Sequence, residues 1–406
     1  MALTRPTPHA GRSGSSSASS KSTPAEPAGS GCIPLSLPAL RAWIAEHGYP
    51  NYRVAQILAW IYRRRVADFA AMSNLSQHLR AALADHFVIP RLTPALVTAS
   101  KDGTRKLLFQ LDADAASGHA ASRHAAIESV LIPDPPRLTL CISSQAGCGM
   151  GCTFCATARL GLLRNLSAEE IAAQVVAAQE QIEPGEHISN IVFMGMGEPL
   201  ANYGTVVQAI EILTAEWGLG FSPRRITVST VGLVPAMQRL VADTAVNLAV
   251  SLSGTTEAQR AKLVPINRRY SLQALVAMCR ALPIPQRRRI TFEYLLLAGI
   301  NDSLEDAGRL VRLLHGIRSK VNLIPFNGFP GARYACPSET TIRCFQERLL
   351  AAGTHATIRQ SRGRDIQAAC GQLALASART PSHRSQSDTL DGSLGRQRVE
   401  SSRPTE

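Results

Sequence analysis

From Leu138 onward, the sequence alternates between short apolar runs and longer segments of helical period. Six of the runs predict strands, namely residues 138–143, 189–194, 225–230, 246–252, 290–297 and 320–325. One intervening helix, predicted from Ala168 to Gln181, begins with a capping box in which Ser167 is followed three residues later by Glu170. Because strands that alternate with helices favour a parallel sheet, we expect an α/β fold built as a partial (β/α)6 barrel of the TIM type.

The flanking segments differ in composition from this alternating region. Residues 1–34 and 376–406 are dominated by small and polar residues that cannot bury enough apolar surface, so we expect disordered termini. Residues 35–100 carry apolar residues at helical spacing and predict a helical accessory domain. Residues 101–137 predict a small β connecting region, and residues 138–375 contain the predicted barrel.

Composition limits the classes of partner. Hydrophobic residues make up 45% of the chain, but no apolar run reaches the roughly 18 residues needed to cross a bilayer, so we expect no membrane partner. The formal net charge is +13, and most of it lies between the terminal segments. This excess favours a polyanionic partner, with nucleic acid as the first candidate. The basic run Arg63-Arg64-Arg65 fits either a solvated helix end or an RNA contact.

Three cysteines follow the first predicted strand of the barrel. Cys148, Cys152 and Cys155 have the spacing Cys-x3-Cys-x2-Cys on one short loop. Three thiolates can bind three irons of a 4Fe-4S cluster and leave the fourth iron open for a cofactor. A structural zinc site normally needs a fourth Cys or His ligand, and here only Cys141, seven residues upstream, is near in sequence. The spacing favours the open cluster, while zinc or chance clustering remain alternatives.

Polar residues follow several of the other predicted strands. In an α/β barrel or an open α/β sheet, the loops at the carboxyl ends of the strands build the active site. We therefore expect these residues to surround one mouth. They are Gly197 and Glu198 after the second strand, Ser229 in the third, Ser251, Leu252 and Ser253 at the end of the fourth, and Asn327 after the sixth.

Two further cysteines stand out by position. Cys141 lies on the first strand of the barrel, close to the three-cysteine loop, and Cys370 lies in a glycine-containing segment after the last strand. A lone cysteine is usually a small buried hydrophobic residue, so position alone does not assign either one.

Several segments together resemble the radical S-adenosylmethionine enzymes that methylate C2 of an adenine in 23S ribosomal RNA, the RlmN-type methyltransferases. The helical stretch resembles their accessory domain through Trp60-Ile61-Tyr62 and Met72-Ser73-Asn74-Leu75. The remaining matches are Ile127-Glu128-Ser129-Val130, Thr139 to Gln145, the three-cysteine loop, Gly195 to Leu200, Val264-Pro265-Ile266-Asn267 and Arg362 to Leu373. Together they cover roughly residues 35–375 in order.

The resemblance implies two cofactors. Cys148, Cys152 and Cys155 would hold a 4Fe-4S cluster, and S-adenosylmethionine would bind its open iron. The residues that would line the S-adenosylmethionine site are Gly197, Glu198, Ser229, Ser251, Leu252, Ser253 and Asn327.

The resemblance also implies a radical mechanism with three catalytic residues. Cys370 would accept a methyl group from one S-adenosylmethionine, and a second would yield a 5′-deoxyadenosyl radical that takes a hydrogen atom from that methyl. The methylene radical would add to the electron-poor C2 of adenine-2503 in 23S rRNA. Glu128 would remove the ring proton, and Cys141 would release the product by forming a disulfide with Cys370. An adenine in tRNA is a second candidate substrate.

One position departs from the family pattern. The family usually has Ser-Leu-His after the fourth strand, whereas this chain has Ser251-Leu252-Ser253. Ser253 can form hydrogen bonds but lacks the imidazole ring, so cofactor affinity or substrate choice can differ.

Two other functions stay open from sequence. One is C8 methylation, as in related antibiotic-resistance enzymes, although the segment Ser361 to Ile366 looks more like the C2 group. The other is a non-catalytic RNA-binding or assembly factor that contains the cluster. For the enzyme we expect a monomer, a flavodoxin- or ferredoxin-type electron donor and a reducing, cytoplasmic location. An organellar location would follow only if residues 1–31 were a transit peptide.

Overall fold

The structure, a computed structural model, describes residues 32–111 and 125–374. The predicted disordered tail, residues 376–406, and the transit-peptide alternative for residues 1–31 lie outside the described residues. Of the predicted disordered extension, residues 1–34, only the last three residues are described. Two of these form strand β1, Ile33–Pro34, so ordered structure begins before the predicted boundary.

A helical unit follows β1 and confirms the predicted helical N-terminal region. Its helices are α1, Leu37–Glu46, α2, Tyr52–Tyr62, and α3, Gln77–His86, and its second strand is β2, Phe87–Val88, which pairs in parallel with β1. The indole of Trp60 donates a hydrogen bond to the side chain of Asn74 over 2.5 Å, joining two of the segments that carry the family resemblance. The amide of Leu37 donates to a carboxylate oxygen of Glu169 over 3.1 Å and so joins the unit to the rest of the molecule.

A ten-stranded sheet forms the centre of the molecule, in the strand order β14-β13-β12-β11-β10-β9-β6-β5-β4-β3. The strands from β6 to β14 in this order are mutually parallel, and β5, β4 and β3 continue the sheet in antiparallel pairing. Their bounds are β3, Pro94–Ala99; β4, Arg105–Gln110; β5, Ala126–Asp134; β6, Arg137–Cys141; β9, Asn190–Phe193; β10, Ile226–Thr230; β11, Asn247–Ser251; β12, Ile290–Leu296; β13, Ser319–Pro325; and β14, Ala356–Ile358.

The parallel part of the sheet confirms the predicted α/β barrel-type fold. Strands β6, β9, β10, β11, β12 and β13 coincide with the six predicted strands and are neighbours in chain order. The short strand β14 adds a seventh parallel strand that the sequence did not predict. Buried parallel strands are apolar on both faces because helices cover them, and all seven residues of β12 are buried.

The antiparallel part of the sheet differs from the expected domain organisation. Residues 101–137 were expected to form a small β connecting region, and there β4 and β5 pair with each other and, through β6, with the parallel strands. Strand β3 lies within residues 35–100, which were expected to be helical, and it extends the same sheet. Backbone hydrogen bonds between β3 and β4 therefore cross the domain boundary that was predicted near residue 100.

Seven helices and a small hairpin complete the described fold. The hairpin strands are β7, Gln145–Gly147, and β8, Leu162–Asn165. The helices are α4, Ala168–Gln179; α5, Tyr203–Thr214; α6, Val234–Asp243; α7, Glu257–Leu263; α8, Leu272–Ala281; α9, Leu304–Leu314; and α10, Glu339–Ala351. The predicted capping box is present at α4, where Ser167 and Glu170 each accept a hydrogen bond from the other's backbone amide. Among the described residues, none of these helices is long and apolar enough to cross a bilayer.

Candidate active site

The three predicted cluster ligands lie on the loop that joins β7 to β8. The base of the loop is closed by the amide of Cys148, which donates to the carbonyl of Gly161 over 2.7 Å. Gly147 has a φ of 73°, and a Cβ there would lie 1.9 Å from the same carbonyl oxygen. Only glycine fits this close approach, so the hairpin fixes where the cysteine loop begins.

The cysteine loop is also tied to the segment that carries Cys370. The amide of Ala156 donates to the carbonyl of Gly371 over 2.8 Å, and the hydroxyl of Thr157 donates to the carbonyl of Leu373 over 2.6 Å. These bonds join residues more than 200 positions apart in the chain. The fold therefore brings the predicted methyl-accepting cysteine next to the predicted cluster ligands.

A cavity of about 170 Å³ opens at the carboxyl ends of the parallel strands. We call it the cluster cavity. It receives residues from the loop after β6 and from the ends of β9 to β13, which requires the sheet to curve around it. The predicted residues on its wall are Cys148, Cys152, Cys155, Gly197, Glu198, Ser229, Ser251 and Ser253.

Burial shapes the chemistry of the three thiols. It raises the pKa of Cys148 to about 11 and raises the pKa values of Cys152 and Cys155, with the neighbouring cysteines adding to the effect. Such thiols keep their protons at neutral pH unless a metal displaces them. Among the described residues, no three His, Cys, Asp or Glu side chains come close enough to share one metal ion.

Glu198 is one of two carboxylates on the wall of the cluster cavity. Its two oxygens accept hydrogen bonds from the amide of Leu200 over 3.0 Å and from the amide of Val231 over 2.9 Å. Burial raises the pKa of Glu198 to about 7, against the effect of these hydrogen bonds. Gly197 has a φ of 100°, and a Cβ there would lie 2.6 Å from the side chain of Gln145. This glycine lets the carboxylate approach the strand ends.

Arg260 binds the carbonyl of Val231, the residue whose amide donates to Glu198. Its guanidinium is fully buried and donates to the carbonyl of Val231 over 2.5 Å and to the side chain of Asn267 over 2.8 Å. The backbone at Val231 is thus held by Glu198 through its amide and by Arg260 through its carbonyl. Asn267, in a motif segment for which no role was predicted, thus holds Arg260 in place.

A second, smaller cavity of about 50 Å³ adjoins the first. We call it the dithiol cavity because Cys141 and Cys370 both lie on its wall as free thiols. Burial, with a smaller contribution from Cys370, raises the pKa of Cys141 to about 12, while Arg359 acts to lower it. Arg359 and Cys370 lie on the walls of both cavities.

Glu128 lies outside both cavities. Its side chain is fully buried on β5, where it forms an ion pair with Lys106 over 3.0 Å. Val130, two residues further along β5, pairs with Cys141. Because residues two apart face the same side of a strand, Glu128 and Cys141 share one face of the sheet, roughly 7 Å apart along the strand.

Comparison with known proteins identifies the family. The chain is 51% identical over 339 residues to a dual-specificity RNA methyltransferase RlmN from Geotalea uraniireducens, covering 84% of this chain and 95% of that protein. The RlmN of Geobacter sulfurreducens is 49% identical, with 84% and 90% covered. The chain belongs to the RlmN family.

Domain families and a solved structure agree with this membership. Residues 33–89 match the ribosomal RNA large subunit methyltransferase N-terminal domain, and residues 142–311 match the Radical SAM superfamily. The crystal structure of a radical SAM methyltransferase from Sphaerobacter thermophilus superposes with a TM-score of 0.76 and 46% identity, covering 84% of this chain and 97% of that one. The protein is therefore a radical SAM methyltransferase.

The cavity residues fit the cofactors that the radical SAM family implies. In a 4Fe-4S cluster each thiolate binds a different iron, so the thiols need not converge on one point as they would around zinc. Three thiols on one short loop suit a cluster whose fourth iron is open to a cofactor. In addition, Oε2 of Glu293 is buried on the cavity wall and has no hydrogen-bond partner among the described residues, which leaves it available to a polar ligand.

Two predicted cofactor-lining residues of this RlmN-family site lie elsewhere. Leu252 is fully buried in the hydrophobic core and does not reach the cluster cavity. Asn327 lies on the dithiol cavity, where it donates to the carbonyl of Cys370 over 3.4 Å and accepts from Arg364 over 2.9 Å. Asn327 therefore holds the Cys370 segment.

Ser253, which replaces the usual histidine of the RlmN family, does lie on the cluster cavity. It is 2% exposed, with a φ of 53°. That left-handed conformation is uncommon for residues other than glycine, and the side-chain amide of Asn301 supports it by donating to the carbonyl of Ser253 over 3.1 Å.

Sequence reasoning missed four polar residues of the site. Gln145 accepts from the amide of Glu198 over 2.8 Å, and Arg260 acts on the same strand end. Glu293 and Arg359 lie on the cavity wall. All four lie within or next to apolar runs or known motifs, and they form no motif or periodic pattern themselves. Only Glu293, a charged residue inside a buried parallel strand, gave a signal that could have been used.

Proposed function

We propose that the protein methylates C2 of adenine-2503 in 23S rRNA, with an adenine in tRNA as a second substrate. The observation that carries this proposal is the placement of Cys141 and Cys370 on one small cavity that shares a wall with the three-cysteine cavity. Two free thiols on one cavity wall are what a cysteine-borne intermediate and its release by a second cysteine require. The relatives are described as dual-specificity RNA methyltransferases, which supports more than one RNA substrate.

The residues of the cluster cavity would bind the two cofactors. Cys148, Cys152 and Cys155 hold the cluster, and Glu198 accepts from the ammonium group of S-adenosylmethionine. Ser229, Ser251 and Ser253 offer hydroxyl groups to its remaining polar atoms. When bound, these cofactors supply an electron, a methyl group and a hydrogen-abstracting radical.

The residues of the dithiol cavity would carry the carbon to the RNA. The Sγ of Cys370 loses its proton and accepts the methyl group, and its position on both cavity walls lets it face the cofactor and then the substrate. After the new carbon is bonded to the adenine, the adduct would give one electron back to the cofactor and lose the ring proton. The Sγ of Cys141, having lost its own proton, would then bond to the Sγ of Cys370 as the carbon–sulfur bond breaks and the released carbon takes up a proton. Two electrons from an external reductant would restore the two thiols. Arg359 lies beside both sulfurs and stabilises negative charge on either one.

Glu128 would remove the ring proton. Lys106 forms an ion pair with its carboxylate over 3.0 Å and so holds the side chain in place on β5. Glu128 is fully buried, on the face of the sheet that also carries Cys141. The residues that cover it must therefore move apart before the adenine can reach it. A flavodoxin- or ferredoxin-type protein would supply the electron to a monomeric enzyme.

Methyl transfer by purified protein tests this function. The reconstituted enzyme, with reductant and S-adenosylmethionine, is given RNA whose adenines carry deuterium at C2 or at C8, and nucleosides are analysed by mass spectrometry. We expect methylated adenosine that has lost the C2 label. Loss of the C8 label would establish C8 methylation instead. RNA binding without any 5′-deoxyadenosine would establish a non-catalytic factor.

Two cysteine variants refine this test. We expect Cys370→Ala to abolish methylated adenosine, because no sulfur remains to carry the methyl group. Cys344→Ala, which removes an exposed thiol on α10, is the matched control and should keep the rate. Full turnover by Cys370→Ala would contradict the two-cysteine mechanism.

A further inference from the structure

Arginines precede three of four neighbouring parallel strands, at the end opposite the active site. We call these residues the basic edge and define it as Arg224, Arg225, Arg287, Arg288, Arg289 and Arg318. Arg225 comes directly before β10, Arg289 before β12 and Arg318 before β13. Because parallel strands all begin at the same edge of a sheet, these arginines lie together at its amino edge.

Hydrogen bonds join the loops of the basic edge into one surface. The side-chain amide of Asn247, the first residue of β11, donates to the carbonyl of Arg224 over 2.8 Å. Arg288 donates to the carbonyl of Val246 over 3.4 Å, just before the same strand. Arg318 donates to the carbonyl of Ile284 over 2.6 Å. From β10 to β13 there are three strand spacings, so the edge is about 14 Å wide.

The charge of the basic edge is exposed and unpaired. Five of its six arginines are exposed, and Arg288 is half-buried. Within residues 32–111 and 125–374, none of the six lies within ion-pair distance of a carboxylate. Elsewhere, arginines such as Arg309 and Arg343 do form such pairs. Six like charges without counter-charges repel one another, so binding an anionic partner would lower the electrostatic free energy of this surface.

A groove extends the basic edge to the helical unit. Arg225 lines it together with Arg63 and Arg65, two members of the basic run at the end of α2. The groove also contains Glu183 and Glu186, and Glu186 is paired with Arg105 over 3.4 Å. Arg63 and Arg65 are exposed and form no ion pair among the described residues. The basic run therefore continues the same charged surface.

We propose that the basic edge, with Arg63 and Arg65, binds the phosphate backbone of the RNA substrate at a distance from the reacting adenine. Naming RNA rests on the proposed function. Strand β12 spans seven residues, so the edge lies about 20 Å from the cluster cavity. It contacts parts of the RNA that flank the target and supplies affinity without reading sequence.

The chemistry of the surface favours RNA over an acidic protein. Protein interfaces usually bury an apolar centre, yet none of the exposed large hydrophobic residues belongs to the loops of the basic edge. Arginine presents a planar fork of donors that matches phosphate oxygens. Phosphate contacts need neither an apolar centre nor a shaped pocket.

Binding of long and short RNA tests the proposal. The triple variant Arg287→Gln, Arg288→Gln, Arg289→Gln is compared with a control of equal charge loss on α9 and α10, Arg312→Gln, Arg343→Gln, Arg348→Gln. Each protein binds a minimal stem–loop with the target adenine and a long transcript that contains the same stem–loop. We expect the edge variant alone to lose at least tenfold in affinity for the long transcript. Its plot of log affinity against log salt should flatten by about 2 for three lost contacts.

The remaining outcomes are decisive. The edge variant should methylate the stem–loop at the unmodified rate, because the edge does not touch the reacting base. Equal binding of the long transcript by the edge and control variants would overturn the proposal. So would slower cluster reduction by an acidic electron donor with RNA binding unchanged, which would assign the edge to a protein. Failure of every protein, including the unmodified one, to methylate RNA would overturn the proposed function, while the binding comparison would still decide the role of the edge.

Discussion

The cluster cavity and the dithiol cavity share a wall, but different structural elements form and close them. The cluster cavity is formed by strand ends and backbone hydrogen bonds, with Gly147 and Gly197 at close approaches. The dithiol cavity is closed by the C-terminal segment, which side chains hold in place. The carboxylate of Asp102 accepts from the amide of Gly363 over 2.9 Å, and the hydroxyl of Ser100 donates to Asp365 over 2.6 Å.

This difference matches what each cavity has to do. A cluster and its cofactor need fixed ligands, and strand ends in a sheet provide them. A bulky RNA base needs a wall that can open, and the three hydrogen bonds between the turn at residues 100–102 and the C-terminal segment can break without disturbing the sheet. In the proposed function, cysteines would thus serve two purposes, cluster binding in one cavity and methyl transfer in the other.

The largest expected effect comes from a variant that impairs the cluster cavity, compared with one that leaves it intact. Cys152→Ala removes a cluster ligand, so we expect iron content and 5′-deoxyadenosine formation to fall to background. Cys141→Ala leaves the cluster cavity intact and should keep both. Iron analysis and 5′-deoxyadenosine assays measure these quantities. A Cys152→Ala protein with a full, functional cluster would show that the three-cysteine loop is not its ligand set.

Arg359 tests the chemistry of the shared wall. Burial already raises the pKa of Cys141, and without the charge of Arg359 this pKa would rise further, so less thiolate would be available. We expect Arg359→Met to slow formation of the Cys141–Cys370 disulfide by at least tenfold when the apo protein is oxidised, as followed by mass spectrometry. Arg359→Lys keeps the charge and should largely restore the rate. Equal rates in both variants would show that Arg359 acts only in packing.

The pH dependence of cofactor binding tests the cluster cavity alone. Burial raises the pKa of Glu198 to about 7, so in the protein without ligand this carboxyl group is mostly protonated at pH 6 and mostly ionised at pH 8. Because a cationic ligand needs the ionised form, we expect affinity for S-adenosylmethionine to rise about tenfold over this range. Calorimetry on the cluster-loaded protein measures it. Glu198→Gln should bind weakly with a flat profile, and an equally steep profile in that variant would assign the titration to another group.

The smallest expected effect concerns the contacts that close the dithiol cavity. Asp102→Asn weakens an ionised acceptor for the amide of Gly363, so the C-terminal segment should open more often. We expect trypsin to cut after Arg362 or Arg364 a few-fold faster, with no change in iron content. Asp68→Asn, at a turn of the helical unit, is the matched control. Unchanged cleavage would show that these contacts do not limit opening.

The sequence predicted the parallel half of the fold well because each strand is an apolar run between helices of clear period. Strand β14, with only three residues, is too short to show such a run. We did not predict that β3 to β5 continue the central sheet, because sheet continuity depends on pairing between distant segments. No composition reports that pairing.

The candidate site was predictable where a motif marks it. The three-cysteine loop and Glu198 lie together as expected. Asn327 faces the other cavity, since a side chain just after a strand can turn to either side of the wall. Arg359 escaped prediction because a single arginine at a strand end has no periodic signature. Its importance follows only from Cys141 and Cys370, which the fold brings to it from either side.

A covalent intermediate on Cys370 tests the central claim most directly. In Cys141→Ala the carbon–sulfur bond to Cys370 has no thiol to break it. The RNA should therefore stay attached to the protein, and digestion with nuclease and trypsin should yield adenosine joined through one carbon to the Cys370 peptide. Mass spectrometry detects this species. Free methylated adenosine at the unmodified rate, with no adduct on Cys370, would contradict the account.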